Sequence, residues 1–333
     1  MQVAAPTLPR QAGRRRAAAT LDLGDARAVV AREHAFDRWE DLAAFTEAVA
    51  HDGPVARFET AVEAVVSGDV ATLRSRLRET PELVRARSTR RHHATLLHYV
   101  GANGVEDTRQ RTPANAIDVA RTLLDAGADV DALADMYDAA CTTMSMLVSS
   151  SHPAEAGLQA ALAETLLDYG AALEGPGSNW QSALMTALTF GYLQTAEVLA
   201  RRGAPVDTLP AMAGLGRTAD VVRLLPSADA RARHVALALA AQLGHADVVR
   251  LLLDAGEDPD RYNPDGFHAH ATPLHQAVSS NRADVVRLLV DRGARLDIRD
   301  TIYQGTPLDW AIHGGHSAIA EHLRRVDGGH VMR

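Results

Sequence analysis

The sequence predicts an all-α solenoid of about eight helix-turn-helix units. Three observations carry that prediction. First, residues 246–257 read Ala-Asp-Val-Val-Arg-Leu-Leu-Leu-Asp-Ala-Gly-Glu and residues 283–294 read Ala-Asp-Val-Val-Arg-Leu-Leu-Val-Asp-Arg-Gly-Ala, with looser copies at 123–128, 166–171 and 199–204. Second, the glycines that close these phrases stand at 127, 170, 203, 256 and 293, spaced by 43, 33, 53 and 37 residues. Each follows an apolar run of helical period, where the chain must turn through a positive φ to stop the helix. Third, Thr272-Pro273-Leu274-His275 and Thr306-Pro307-Leu308-Asp309 mark helix starts. Thr is a natural N-cap there, and Pro sits at the first helical position, where its missing N–H costs nothing.

Taken in order, residues 1–18 read as a disordered Arg-rich tail, with a transient anionic contact as the alternative. Residues 19–57 read as a helical N-terminal cap. Ala28 and Val29, then Trp39, Leu42, Phe45 and Val49, recur at helical spacing, broken near Phe36-Asp37. Terminal repeats need one face covered; a separate partner-binding role for this pair is the alternative. The array spans 58–325. Its first unit, around 60–88, keeps Gly68-Asp69, Leu73 and Leu77; the second starts at Thr95-Leu96-Leu97-His98 and carries an insertion at 103–113. The third starts near Thr142-Thr143-Met144, with an insertion at 149–158, and the fourth runs from Ser182 to Gly203. A stunted fifth (Leu209 to Pro226) lacks the starting Thr-Pro. The sixth spans His234 to Gly256, the seventh Thr272 to Gly293 and the eighth Thr306 to Arg325. Residues 326–333 form a C-terminal tail.

Thr-Pro-Leu-His, an Ala-rich helix, a Gly-His turn (Gly244-His245, Gly315-His316), Val-Val-x-Leu-Leu and Gly-Ala together resemble the ankyrin repeat. The resemblance covers roughly residues 58–325 and implies an ankyrin-repeat solenoid with short finger turns and a concave binding face. The phrase Ala-Arg-Glu-His-Ala-Phe-Asp-Arg-Trp-Glu-Asp-Leu is similar to a leader that precedes ankyrin arrays in many bacterial proteins.

Composition excludes several function classes. No run of 18 apolar residues exists, so no transmembrane helix is expected. No apolar segment follows the N-terminal arginines, so no export signal is read. The formal charge is −8; the tail contributes +4, leaving −12 on the remainder. An acidic body repels phosphate backbones, which argues against nucleic-acid binding. The single Cys141 rules out an internal disulfide and fits a reducing, cytoplasmic compartment. All 34 basic residues are arginine, as GC-rich bacterial coding would give. Chemistry that needs a P-loop, kinase-type or Schiff-base lysine is therefore absent.

The histidines invite a metal reading. His268, His270 and His275 lie close together with Asp265 before them, and His92, His93 and His98 form a second cluster. Imidazoles ligate Zn²⁺ only where their nitrogens converge. The ankyrin resemblance gives His98 and His275 a structural job instead, bonding the repeat-start Thr. His268 and His270 alone are thin for a tetrahedral site, so neither a metal nor a cofactor is expected. Cys141, with Asp138 as orienter, is a weak nucleophile candidate and reads better as a buried thiol. No phosphate loop, His-Glu-x-x-His helix or nucleophile elbow is present, and no catalytic residue is assigned.

The loops carry the functional reading. In ankyrin-like arrays they project as fingers beside the concave face. The segment 260–271 contains Asn-Pro-Asp-Gly, turn chemistry that would hold Tyr262 on one arm and Phe267 on the other, with His268 and His270 following. Tyr303, Tyr137 and Trp180 lie on other fingers. By register, Phe190, Leu243 and His313 fall at exposed ends of first helices, and Trp310 reads as capping the array end, with a place at its rim as the alternative. Such aromatics pack on each other, on a partner, or both. The expected function is non-catalytic binding of another protein by a monomer, through the concave face and fingers, with no nucleic acid or membrane as partner. The alternative is a small-molecule-binding protein or atypical enzyme whose pocket is built by insertions 103–113, 149–158 and 260–271, using His268, His270, Asp265 and Tyr303.

Overall fold

The computed structural model describes residues 22–101, 109–136, 139–175 and 182–330. The tail 1–18, Tyr137, Asp138, Trp180 and most of the 103–113 insertion lie outside the described residues. The rest is mostly helical and falls into two compact units, one built from residues up to 186 with 201–204, the other from 187–200 with residues from 205 onward.

The first unit opens with helices Leu23–Glu33 and Trp39–Ala50. Asp22 caps the first of them, accepting from the Asp25 N–H at 2.8 Å. Arg90 ties this hairpin to the helices that follow. Its guanidinium donates to the His34 carbonyl at 2.9 Å and lies 4.5 Å from the Phe45 ring centre and 5.5 Å from that of Phe36. Glu59 sits 3.7 Å from the same guanidinium and accepts from Arg109 at 2.5 Å. A buried cation is tolerable only with such partners.

Helices Pro54–Ser67 and Val70–Glu79 form the next pair, turned by Gly68 at φ +76°. A Cβ on Gly68 would stand 2.2 Å from Asn115 Oδ1, so both the turn and the close approach demand glycine. Helix His98–Gly101 is short and fully buried, and Ala116–Asp125 ends at Gly127 with φ +93°. The insertion at 149–158 folds as a helix, Ser151–Glu155. The buried Gln159 amide fastens it by donating to the Leu147 and Ser150 carbonyls, both at 2.9 Å.

One element departs from the all-α expectation. Ala134–Met136 and Ala139–Cys141 pair antiparallel, with Ala134 opposite Cys141 and Met136 opposite Ala139. The two arms of this finger run extended side by side, and a short ladder satisfies their backbone groups.

The second unit contains the regular pairs Ala230–Leu243 with Ala246–Asp254, Pro273–Ser279 with Ala283–Asp291, and Pro307–His313 with Ser317–His330. Their shared core is small and aliphatic, with Val248, Val249, Leu252, Leu274, Val285, Val286, Leu289 and Leu323 all buried. Two helix starts differ from those expected of the sequence. The stunted Leu209–Gly214 helix does have a capping Thr, because Thr208 accepts from the Ala211 N–H at 3.3 Å. The sixth unit's first helix begins at Ala230 rather than near His234, capped by Asp229, which accepts from the Ala232 N–H at 2.7 Å.

Candidate protein-interaction surface

The finger between the last two helix pairs is built on one buried carboxylate. Asp300 has no exposed surface. Its Oδ1 accepts from the N–H groups of Ile302 (2.9 Å) and Tyr303 (2.6 Å), and its Oδ2 from Gly305 N–H (2.8 Å) and Trp310 Nε1 (2.9 Å). Burial opposes ionisation of Asp300, yet these donors outweigh it and hold its pKa below the usual carboxylate value. The turn so fixed leaves Ile302 46% and Tyr303 64% exposed at its tip.

Trp310 is the other half of the brace. Besides its bond to Asp300, its ring lies 5.2 Å from His275 and 5.8 Å from His270. Trp310, in the last helix pair, is a half-buried strut beneath the finger. His270 in turn meets Tyr303 at 6.5 Å and His268 at 6.2 Å, both edge-on, so five rings form one continuous strip. His268 takes φ +60°, unusual without glycine, and is anchored by its Nε2, which donates to the Thr189 carbonyl at 2.9 Å. Beside that anchor, Phe190 stacks on Tyr192 with ring centres 6.3 Å apart. At the end of helix Pro307–His313, His313 is exposed and Ile312 is 53% exposed.

Two expected surface residues are buried. Leu243 is 3% exposed, because every residue from His234 to Leu243 is covered and that stretch of helix has no solvent face. Phe267 is 8% exposed. Its loop closes on itself through Asn263 N–H to the Ala271 carbonyl (2.9 Å) and Phe267 N–H to the Pro264 carbonyl (3.0 Å), which turns the ring inward. Tyr262, on the other arm, is 42% exposed and donates its hydroxyl to the Arg299 carbonyl at 2.6 Å, tying this finger to the next. Tyr137 and Trp180 lie outside the described residues.

The histidines divide by task. His98 and His275 each place Nδ1 2.8 Å from the repeat-start Thr hydroxyl, and each sends Nε2 to a carbonyl of the next finger, Cys141 and Gly305, at 3.2 Å. Burial drives the His98 pKa down to about 4 and lowers those of His268, His270 and His275. All four are therefore neutral near pH 7. The Gly-His turns also staple neighbours, with His245 Nε2 2.9 Å from the Gly214 carbonyl and His316 Nε2 3.2 Å from that of Ser279. Among the described residues, no three His, Cys, Asp or Glu side chains converge on a point where a metal could sit. The Cys141 thiol is buried, and burial raises its pKa, the opposite of an activated nucleophile.

Two recesses stand out, and among the described residues neither is lined by the three insertions. One, of about 20 Å³ beside Thr142 and Glu174, holds roughly a single water. The other is a groove of about 660 Å³ on the N-terminal hairpin. No helix of the described residues is long and apolar enough to cross a membrane.

Residues 211–300 and 237–330 match the family model "Ankyrin repeats (3 copies)". Human cyclin-dependent kinase inhibitor 2A is 33% identical over 87 residues, 26% of this chain and 53% of that protein. Bovine cyclin-dependent kinase 4 inhibitor B is 35% identical over 86 residues, 26% of this chain and 63% of that protein. The chain thus spans roughly half to three-fifths of the length of these curated relatives.

Proposed function

This chain carries ankyrin repeats, and from that premise we propose that it is a non-catalytic module that binds another protein through the fingers and first-helix ends of its last three repeats. Helix pairs outside 211–330 are, on this reading, degenerate copies of the same unit, about eight in all. One observation carries the proposal: exposed Ile302, Tyr303 and Ile312 stand on a mount of buried Asp300 and His275 joined by half-buried Trp310. Aromatic and aliphatic groups on a rigid mount lose little entropy when a partner covers them. The similar kinase inhibitors are named for acting on another protein, which supports a protein partner here. The neutral histidine strip and the acidic body favour a protein over a nucleic acid. On this reading the protein is a monomer, and the single buried thiol supports a reducing cytoplasm.

The test compares affinity capture by the wild type and by the Ile302→Ser, Tyr303→Ser, Ile312→Ser variant, quantified by mass spectrometry alongside a thermal melt. Proteins lost from the variant's capture at an unchanged melt identify the partner. Identical captures reject the surface.

A further inference from the structure

The N-terminal hairpin carries an apolar face that the described residues leave largely uncovered. Helix Trp39–Ala50 has no buried residue, although Trp39, Leu42, Phe45 and Val49 give it an apolar stripe. Its neighbour buries only Ala31 and leaves Leu23 67%, Val29 43% and Val30 38% exposed. A helix whose sole role was to cap the first repeat would bury its stripe beneath it. Here the two helices instead wall an open groove of about 660 Å³, lined by Val30, Trp39, Leu42, Ala43, Phe45 and Ala50 with Glu47 beside them. Arg90 also lines the groove, with its charge partly covered by stacking on Phe45 and Phe36 and by Glu59 at 3.7 Å.

Charge selects the occupant. Residues 22–52 contain eight acidic residues against three arginines, a formal −5. Asp37, Asp41 and Asp52 are paired with Arg91, Arg38 and Arg57. Glu33 and Glu47 are exposed with no arginine partner among the described residues, and Glu40 is exposed beside Arg38, whose charge it shares with Asp41. Two such acidic hairpins repel, which disfavours a second copy of this chain, and an anionic membrane is repelled likewise. The groove runs along a helix of 12 residues, about 18 Å at the α-helical rise. That length matches two to three turns of another helix. We propose that the groove seats a basic amphipathic helix of a partner protein, its apolar i, i+4 and i+7/i+8 residues filling the groove and its Lys or Arg flanks meeting Glu33, Glu40 and Glu47.

The probe is a fluorescein-labelled 18-residue Leu/Lys peptide of helical period, titrated into the full chain by anisotropy, with hydrogen exchange locating the contact. A scrambled peptide of the same composition and a Leu/Glu peptide of the same period are the comparators. The expected result is preference for the patterned Leu/Lys peptide and new protection confined to 23–50. Val30→Arg with Ala43→Arg should weaken binding by about tenfold or more. Glu33→Gln with Glu47→Gln should weaken it about three- to fivefold and flatten its salt dependence. All four positions are exposed, so the melts should be unchanged. Equal binding of the scramble, preference for the Leu/Glu peptide, protection elsewhere, or indifference to the arginine variant would each overturn the proposal. A concentration-dependent dimer that Val30→Arg with Ala43→Arg dissolves would assign the groove to a second copy and overturn it. Protection of residues 1–21 in the free protein, lost in that same variant, would assign it to the chain's own N-terminal segment and equally overturn it.

Discussion

Asp300→Asn is the sharpest test of how the finger is held. The side chain keeps its shape, but Oδ2 becomes an NH₂ group. The oxygen that remains can still accept from Ile302 and Tyr303. The new amide then faces two donors, Gly305 N–H and Trp310 Nε1, which approach Asp300 Oδ2 at 2.8 and 2.9 Å. Hydrogen bonds to a charged acceptor contribute about 1.5–3 kcal/mol each. Losing two, with some relief from local relaxation, should cost about 3 kcal/mol. Urea unfolding followed by circular dichroism should show that loss, and tryptophan emission should shift to the red as Trp310 is released. Partner binding through Tyr303 should fall with it. A pH series adds a second signature. The native pKa of Asp300 is depressed, so its stabilisation is complete above the unfolded value of about 3.9 and is lost as pH falls below that. In Asp300→Asn that portion of the acid limb should vanish. A variant within about 0.5 kcal/mol of wild type, with unchanged emission, would refute the idea that this carboxylate builds the finger.

The same geometry sets three further outcomes. His98, with its pKa pushed down to about 4, binds protons more readily unfolded than folded. Stability should therefore be full above a pH of about 6.5 and fall between there and about 4, by about 3 kcal/mol in total for this residue. Denaturant unfolding at half-unit pH steps should show His98→Gln with a shallower slope above a pH of about 5, where carboxylates do not yet titrate; a superimposable slope counts against it. Gly293 has φ +88° with open space where a methyl group would stand, so Gly293→Ala should cost only backbone strain, about 1–2 kcal/mol. Gly68→Ala adds a clash with Asn115 and should cost clearly more in the same melt. Phe267→Ser should lower the melting temperature by several degrees because the ring is buried. Tyr303→Ser should leave it within error, and equal melts would reject the division of the two fingers' aromatics into buried and exposed.

The repeat was legible in the sequence because its signals are local and periodic. Val-Val-x-Leu-Leu records which helix face is covered, Gly256 and Gly293 record a positive φ (91° and 88°), and Thr272 and Thr306 record a cap. None of these depends on what lies across the fold. The surface was legible only in part, because exposure depends on non-local packing. Tyr303 and Phe267 look alike as loop aromatics, yet one stands on a turn organised by Asp300 and the other is folded into its own loop. Asp300 does not stand out in the sequence. It is one carboxylate among 42, and its role appears only when four donors converge on it. A signal did exist: Asp followed by a short turn, then Gly-Thr-Pro and a Trp three residues beyond the Pro, places an indole on the first turn of the next helix, facing back toward that carboxylate. The groove on the N-terminal hairpin was hidden for the opposite reason. Trp39, Leu42, Phe45 and Val49 have the spacing of a buried face, and periodicity cannot say whether that face is covered by the chain itself or left for another molecule. The difference lies partly in Arg90, 45 residues from Phe45, which takes up that ring while no residue of the helix is buried.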